Sequence, residues 1–269
     1  MKVALFDSKK YEKEYYLNEK SIHFDFFDFP LNKHTANACE SYEVICCFVN
    51  DILDEDCLQK LSQLGVKLIC LRCAGYNNVD LVAAEKLNIA ICRVPSYSPQ
   101  SVAEFTLSQV LCLTRKLHRS YQRTKDLNFS LHGLVGTTLR NKTIGVLGTG
   151  QIGTSFIELL DGFHCKVLAY DLNPNHSLTQ GRDLKYSSLE KVLSDSDIIS
   201  LHIPLSPETR HIINTESIST MKDGALIVNT GRGGLIETKS LITGLKQKKI
   251  GGAAPVSYTH LTLPTKRIV

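Results

Sequence analysis

Three glycines, Gly148, Gly150 and Gly153, fall in the run GTGQIG, where an apolar stretch, TIGVLG, gives way to an amphipathic one, QIGTSFIELLDGF. Glycine-rich turns are common. The spacing carries weight here because an apolar strand ends at Gly148 and a helix opens at Gln151 and Ile152. In that setting Gly148 permits a tight turn, Gly150 lets the backbone approach a pyrophosphate, and Gly153 lets the helix lie close on the strand. The helix start then presents N–H groups and the positive end of its dipole to the phosphates. The next apolar run, KVLAYD, closes on an acid, Asp171. A carboxylate there can accept both ribose hydroxyls of an adenosine and repels a 2′-phosphate. No arginine follows it in Leu172-Asn173-Pro174 to welcome that phosphate. The predicted chemistry is dinucleotide binding, with NAD preferred over NADP.

The rest of the chain reads as the elements such a site requires. Short apolar runs alternate with helical patterns, the signature of βα units and a parallel sheet. Strands are predicted at KVALFD, IHFDFF, VICCFVN, KLICLRC and IAICRVP in the first hundred residues. A second series follows at TIGVLG, KVLAYD, DIISLHI and ALIVNT. Helices are predicted over 55–65, with Leu58, Leu61 and Leu64 on one face and Gly65 as the stop, and over 79–88. A long amphipathic helix over 99–122 is placed to connect two domains, and further helices are predicted at QIGTSFIELLDGF and TKSLITGLKQKK. No internal repeat of fixed period is evident.

Composition excludes several classes of partner. Of 269 residues, 43% are hydrophobic and 22% charged, which is ordinary for a globular chain. A net charge of +4 is too weak to indicate a nucleic-acid surface. No secretory apolar region follows MKVALFDSKK, and no segment approaches the roughly eighteen apolar residues of a membrane span, so a cytoplasmic protein with no membrane partner is expected. Most of the nine cysteines lie in apolar runs such as VICCFVN, LICLRC and QVLCLT and read as reduced, buried thiols. Cys70 and Cys73 have CxxC spacing but lack a following helix start or a second ligand pair, so no metal is expected.

Six motifs, in order along the chain, resemble the D-2-hydroxyacid dehydrogenases, most closely the fermentative D-lactate dehydrogenases. They are LRCAGYNNVDL (71–81), VPSYSPQSVAEF (94–105), YQRTKDLNFSLHGL (121–134), GVLGTGQIG (145–153), SLHIPLSPETRHIIN (200–214) and MKDGALIVNTGRGGLIE (221–237). The resemblance runs from residue 1 to about 254. It implies an α/β fold of two Rossmann-like or flavodoxin-like parallel-sheet domains, with substrate and nicotinamide in the cleft between them. Residues 1–98 would form the substrate domain, and 99–254 the linking helix and an NAD-binding domain. The implied reaction is reversible hydride transfer between NADH and pyruvate to give D-lactate, in a protein that is a homo-oligomer when complete.

The resemblance also assigns roles. Ala74, Gly75 and Tyr76 form the loop after LICLRC, where Gly75 lets backbone N–H groups turn toward a small carboxylate. Tyr97 resembles the tyrosine lining the substrate pocket, with a surface or hinge tyrosine as the competing reading. Arg232, flanked by Gly231 and Gly233, follows the apolar strand ALIVNT. At such a strand end an arginine points into the ligand crevice. Its planar fork can hold a 2-keto acid by carboxylate and carbonyl oxygen and polarise the ketone. A surface ion pair is the alternative. Ile203, Pro204, Thr209, Thr230, Gly231 and Arg232 resemble the family's contacts to NAD.

The family further implies a glutamate and a histidine after the arginine, the histidine giving a proton as hydride arrives. IGGAA (250–254) is expected to run on into a strand beginning Leu-Asp-Val, and the sequence reads PVSYTHLTLPTKRIV instead, with no acidic residue. Residues 255–269 are therefore expected to be a non-family, artefactual tail on a truncated chain that is inactive as it stands. His260 lies in that tail beside no carboxylate. His202 resembles a histidine the family keeps near the cofactor, and His118, His132, His164, His176 and His211 have no triad-like company. Two other readings stay open: a dehydrogenase of another D-2-hydroxyacid, and a non-catalytic NAD-sensing regulator on the same fold.

Overall fold

The computed structural model describes residues 1–255, which divide into two compact units, Met1–Tyr97 and one beginning at Ser98. The first holds strands β1 (Lys2–Leu5), β2 (His23–Phe26), β3 (Val44–Cys47), β4 (Leu68–Leu71) and β5 (Ala90–Arg93), with helices α1 (Lys10–Leu17), α2 (Glu55–Gln63) and α3 (Leu81–Lys86). All its strand pairs are parallel, in the order β2-β1-β3-β4-β5, the flavodoxin-like winding. The unbroken apolar run of β3 follows from burial on both faces of the sheet. Ile45 and Cys47 join a core with Phe6, Leu58, Leu61 and Ile69, while Cys46 packs with Val3 and Leu5 on the opposite face. Asp54 opens α2 by accepting the Cys57 N–H at 2.9 Å, and Gly65, at φ +88°, closes it in a backbone conformation that side chains resist.

The second unit contains α4 (Pro99–Arg115), α5 (Leu117–Lys125), β6 (Thr143–Leu147), α6 (Gln151–Leu160), β7 (Lys166–Tyr170), β8 (Leu184–Tyr186), α7 (Leu189–Asp195), β9 (Ile198–Leu201), α8 (Thr215–Thr220), β10 (Ala225–Asn229), α9 (Thr238–Lys246) and β11 (Ile250–Pro255). Its six strands are parallel in the order β11-β10-β9-β6-β7-β8, the Rossmann winding. Apolar side chains fill both faces, Val146, Phe156 and Val228 on one and Leu147, Ile199 and Ile227 on the other.

Three local expectations are corrected. The single helix over 99–122 is two, because Lys116 takes a left-handed conformation (φ 57°) and ends α4. α4 buries Ala103, Thr106, Val110 and Leu113, whereas α5 buries none of its residues. IGGAA, expected to precede a strand, itself lies in the strand β11. Gly251 makes that possible, since a Cβ there would lie 2.5 Å from the Gly224 carbonyl oxygen. Four elements the hydrophobic pattern did not mark are also present. α1 buries no residue, β8 and α8 are very short, and α7 is seven residues long, so none offers a sustained apolar period.

Candidate active site

In the second unit the strand order reverses between β6 and β9, the switch point at which an open α/β sheet takes a ligand in the crevice outside the carboxyl ends of its strands. GTGQIG leaves β6 there, and its three glycines have three distinct physical reasons. Gly148 has φ +95° and sits so close to β9 that a Cβ would meet the His202 carbonyl at 2.8 Å and Ile203 Cγ2 at 2.9 Å. A Cβ on Gly153 would stand 2.0 Å from the Gly148 carbonyl oxygen, so the first turn of α6 rests directly on the turn before it. Gly150, the residue capping α6, has no atom within 4 Å of such a Cβ, and no side chain caps the helix. Open space over a helix start is what a pyrophosphate requires, and these residues fit a dinucleotide.

Asp171 follows β7 directly. Its Oδ2 accepts the Thr149 N–H at 2.6 Å and the Thr149 hydroxyl at 2.9 Å, and its Oδ1 accepts the Asn173 N–H at 2.8 Å. Partial burial works against ionisation, but these donors outweigh it and hold the carboxyl below the usual aspartate range. A carboxylate has about four acceptor positions, and the chain already uses three. Asp171 is thus held by the loops on either side of it, with Oδ2 turned toward Thr149 and Oδ1 toward Asn173.

The loop after β9 carries His202, Ile203, Pro204 and Thr209. Ile203 reaches the Gly148 turn, and its carbonyl oxygen would be 3.8 Å from a Cβ on Gly231. Thr209 is occupied within its own loop, donating to the Pro204 carbonyl at 2.7 Å and accepting the Ser206 N–H at 2.8 Å. That makes it a brace for Pro204. His202 Nε2 is 2.9 Å from the Ser200 hydroxyl, its ring packs 5.3 Å from Phe156, and burial pushes its pKa down to about 4. The unfolded histidine titrates near 6.5. Stability from the neutral ring is thus complete above about pH 6.5 and is lost as pH falls toward 4. The melting temperature of His202→Gln is expected to fall less steeply than that of the wild type between pH 6.5 and 5. Parallel slopes would show that His202 does not contribute.

Arg232 comes two residues after the crevice's fourth loop begins. Its guanidinium has no acidic partner among the described residues, and its hydrogen bond is from Nη1 to the Gly231 carbonyl at 3.3 Å. The turn is bracketed by Asn229, which is 3% exposed: Nδ2 donates to the Arg232 carbonyl at 2.8 Å and Oδ1 accepts the Gly231 N–H at 3.0 Å. Thr230 is tied to α4 through the Thr106 hydroxyl at 2.9 Å. Asn229, Thr106 and Thr149 were not singled out in the sequence. A polar residue closing an apolar strand was the available signal for Asn229.

In the first unit the loop after β4 holds Ala74, Gly75 and Tyr76. The Ala74 carbonyl accepts from Arg93 at 3.1 Å, the Cys73 thiol donates to the Gly75 carbonyl, and the Arg93 guanidinium lies 5.3 Å from the Tyr76 ring centre. Gly75 is not among the glycines with positive φ. Tyr97 is 70% exposed. The expected tail lies outside the described residues, apart from Pro255 in β11. Among the described residues no His, Cys, Asp and Glu cluster could hold a metal, and no helix is long and apolar enough to cross a membrane.

Residues 107–265 match the D-isomer specific 2-hydroxyacid dehydrogenase family, NAD binding domain. A 2-hydroxyacid dehydrogenase homolog of Haemophilus influenzae is 46% identical over 263 residues, 97% of this chain and 79% of that one. The apo structure of D-lactate dehydrogenase from Escherichia coli superposes with a TM-score of 0.86 at 44% identity, over 94% of this chain and 81% of the other. D-lactate dehydrogenase from Aquifex aeolicus, complexed with NAD and lactic acid, gives a TM-score of 0.86 at 34% identity, over 95% and 77%.

Proposed function

The chain belongs to the D-isomer specific 2-hydroxyacid dehydrogenases and carries their NAD-binding domain, and from that premise we propose that it serves the interconversion of pyruvate and D-lactate. The observation that carries the reading is Arg232, a guanidinium without an acidic partner among the described residues, at the carboxyl end of a sheet whose crevice fits NAD.

The N–H groups at the start of α6, reached over Gly150, hold the pyrophosphate, and Asp171 takes the adenosine ribose. Ile203, Pro204 with its brace Thr209, Thr230 and Gly231 wall the cofactor's other half. When bound, NAD accepts or gives the hydride. Arg232 grips the 2-keto acid by its carboxylate and carbonyl oxygen, its charge stabilises the oxygen as negative charge grows on it, and the proton that completes the hydroxyl would come from the histidine that the family resemblance implies after Arg232. Within the first unit, the loop Ala74-Gly75-Tyr76 and Tyr97 are the residues assigned to substrate binding. The protein acts in the cytoplasm as a homo-oligomer.

The test is an NADH-binding titration followed by addition of pyruvate or branched 2-keto acids, with chiral analysis of any lactate formed. Turnover is compared between the 269-residue chain and the same chain continued to its relatives' length. Pyruvate is expected to perturb bound NADH, and D-lactate to accumulate in the continued chain. NADH binding that no 2-keto acid affects in either form would favour a cofactor sensor, and preference for a branched acid would name another D-2-hydroxyacid.

A further inference from the structure

Asp171 is the last group of a hydrogen-bonded chain whose direction is fixed by chemistry. An ionised carboxylate only accepts, so the Thr149 hydroxyl must spend its proton on Oδ2, at 2.9 Å. The Tyr186 hydroxyl lies 3.0 Å from the same Thr149 oxygen, and with that proton committed, Tyr186 must be the donor. Its other neighbours are the Asn175 carbonyl at 3.2 Å, a longer alternative acceptor, and the Asn175 N–H, which it accepts at 3.1 Å. The relay therefore runs one way, from Asn175 N–H through Tyr186 and Thr149 to Asp171, and each bond polarises the next. Thr149 is 6% exposed, and the Tyr186 ring is held edge-on against His176 at 5.6 Å.

We propose that Tyr186, at the end of β8, is a positioning residue for the adenosine ribose, pinning Asp171 Oδ2 inward through Thr149 so that Oδ1 is presented to a ribose hydroxyl. This rests on the reading of Asp171 as the ribose acceptor. A ribose bearing a 2′-phosphate gains nothing from that alignment, so Tyr186 contributes to the preference for NADH. A tyrosine that merely staples the 171–176 loop would affect both cofactors alike.

Fluorescence titration with NADH and NADPH separates the two, and it needs no turnover. Tyr186→Phe is expected to weaken NADH binding about fivefold, the scale of one hydrogen bond, with NADPH binding changed less than twofold. Thr149→Val should do the same, and Thr149→Ser, which keeps the hydroxyl, should restore NADH binding. Asp171→Ala should itself narrow the NADH-to-NADPH ratio, and adding Tyr186→Phe to it should cost nothing more, since the two act through one contact. Parallel losses for both cofactors, or an undiminished Tyr186→Phe effect on the Asp171→Ala background, overturn the relay alone. An unchanged ratio in Asp171→Ala overturns the assignment of Asp171 and the relay with it.

Discussion

Arg232→Gln is expected to leave NADH affinity within about twofold of wild type while lowering kcat/KM for pyruvate by about 10³ in the active enzyme, the scale of losing a group that stabilises a developing oxyanion. The reasoning is local. Its guanidinium makes one hydrogen bond, to the adjoining Gly231 carbonyl, and no ion pair among the described residues. Removing its charge therefore breaks little of the fold. Glutamine is neutral and offers no fork, so both the grip on the carboxylate and the polarisation of the ketone go together. kcat should fall and KM rise. In the Arg232→Gln variant, pyruvate should no longer perturb the fluorescence of bound NADH. Near-normal pyruvate kinetics in Arg232→Gln would remove Arg232 from the site, and a large loss of NADH affinity would make it a cofactor residue instead.

Two of the three glycines in the turn, Gly150 and Gly153, should differ in their thermal response to the same methyl group. Gly153→Ala is expected to lower the melting temperature of the NAD-binding unit by about 10 °C, because a Cβ 2.0 Å from the Gly148 carbonyl oxygen must push α6 off its turn. Backbone is the obstacle, so no rotamer relieves it, and a cost of about 3 kcal/mol or more is expected from overpacking of this kind. NADH binding should fail with it. Gly150→Ala meets nothing within 4 Å, and its φ of −63° is open to any residue. Its melting temperature should stay within about 2 °C, since one methyl in open space changes little. NADH affinity should still fall severalfold, because the methyl occupies the approach of the pyrophosphate. Equal thermal shifts in the two variants, measured by calorimetry without ligand, would contradict the division of roles.

The sequence by itself determined the features that depend on neighbours along the chain. An apolar run, a glycine triplet at fixed spacing and an amphipathic stretch imply strand, turn and helix, and an acid closing the next apolar run implies a carboxylate beside that turn. Arg232 between two glycines after ALIVNT was legible for the same reason. So was the alternation of elements in both units.

What tertiary structure alone decided depends on which strands lie side by side. β6 is flanked by β7 and β9, which brings His202 and Ile203 against Gly148 and sets Asp171 against Thr149. β8 then places Tyr186 within reach of Thr149, thirty-seven residues away in sequence. No period in the chain encodes that meeting. The neutral state of His202 likewise comes from burial, and the break at Lys116 runs against lysine's own helical preference. Asp171's acceptor capacity shows the distinction most directly. Its type and place marked it as an acceptor beside the glycine turn, but which loop donors it meets was decided by the fold, because backbone N–H groups near a carboxylate must find acceptors wherever packing has put them.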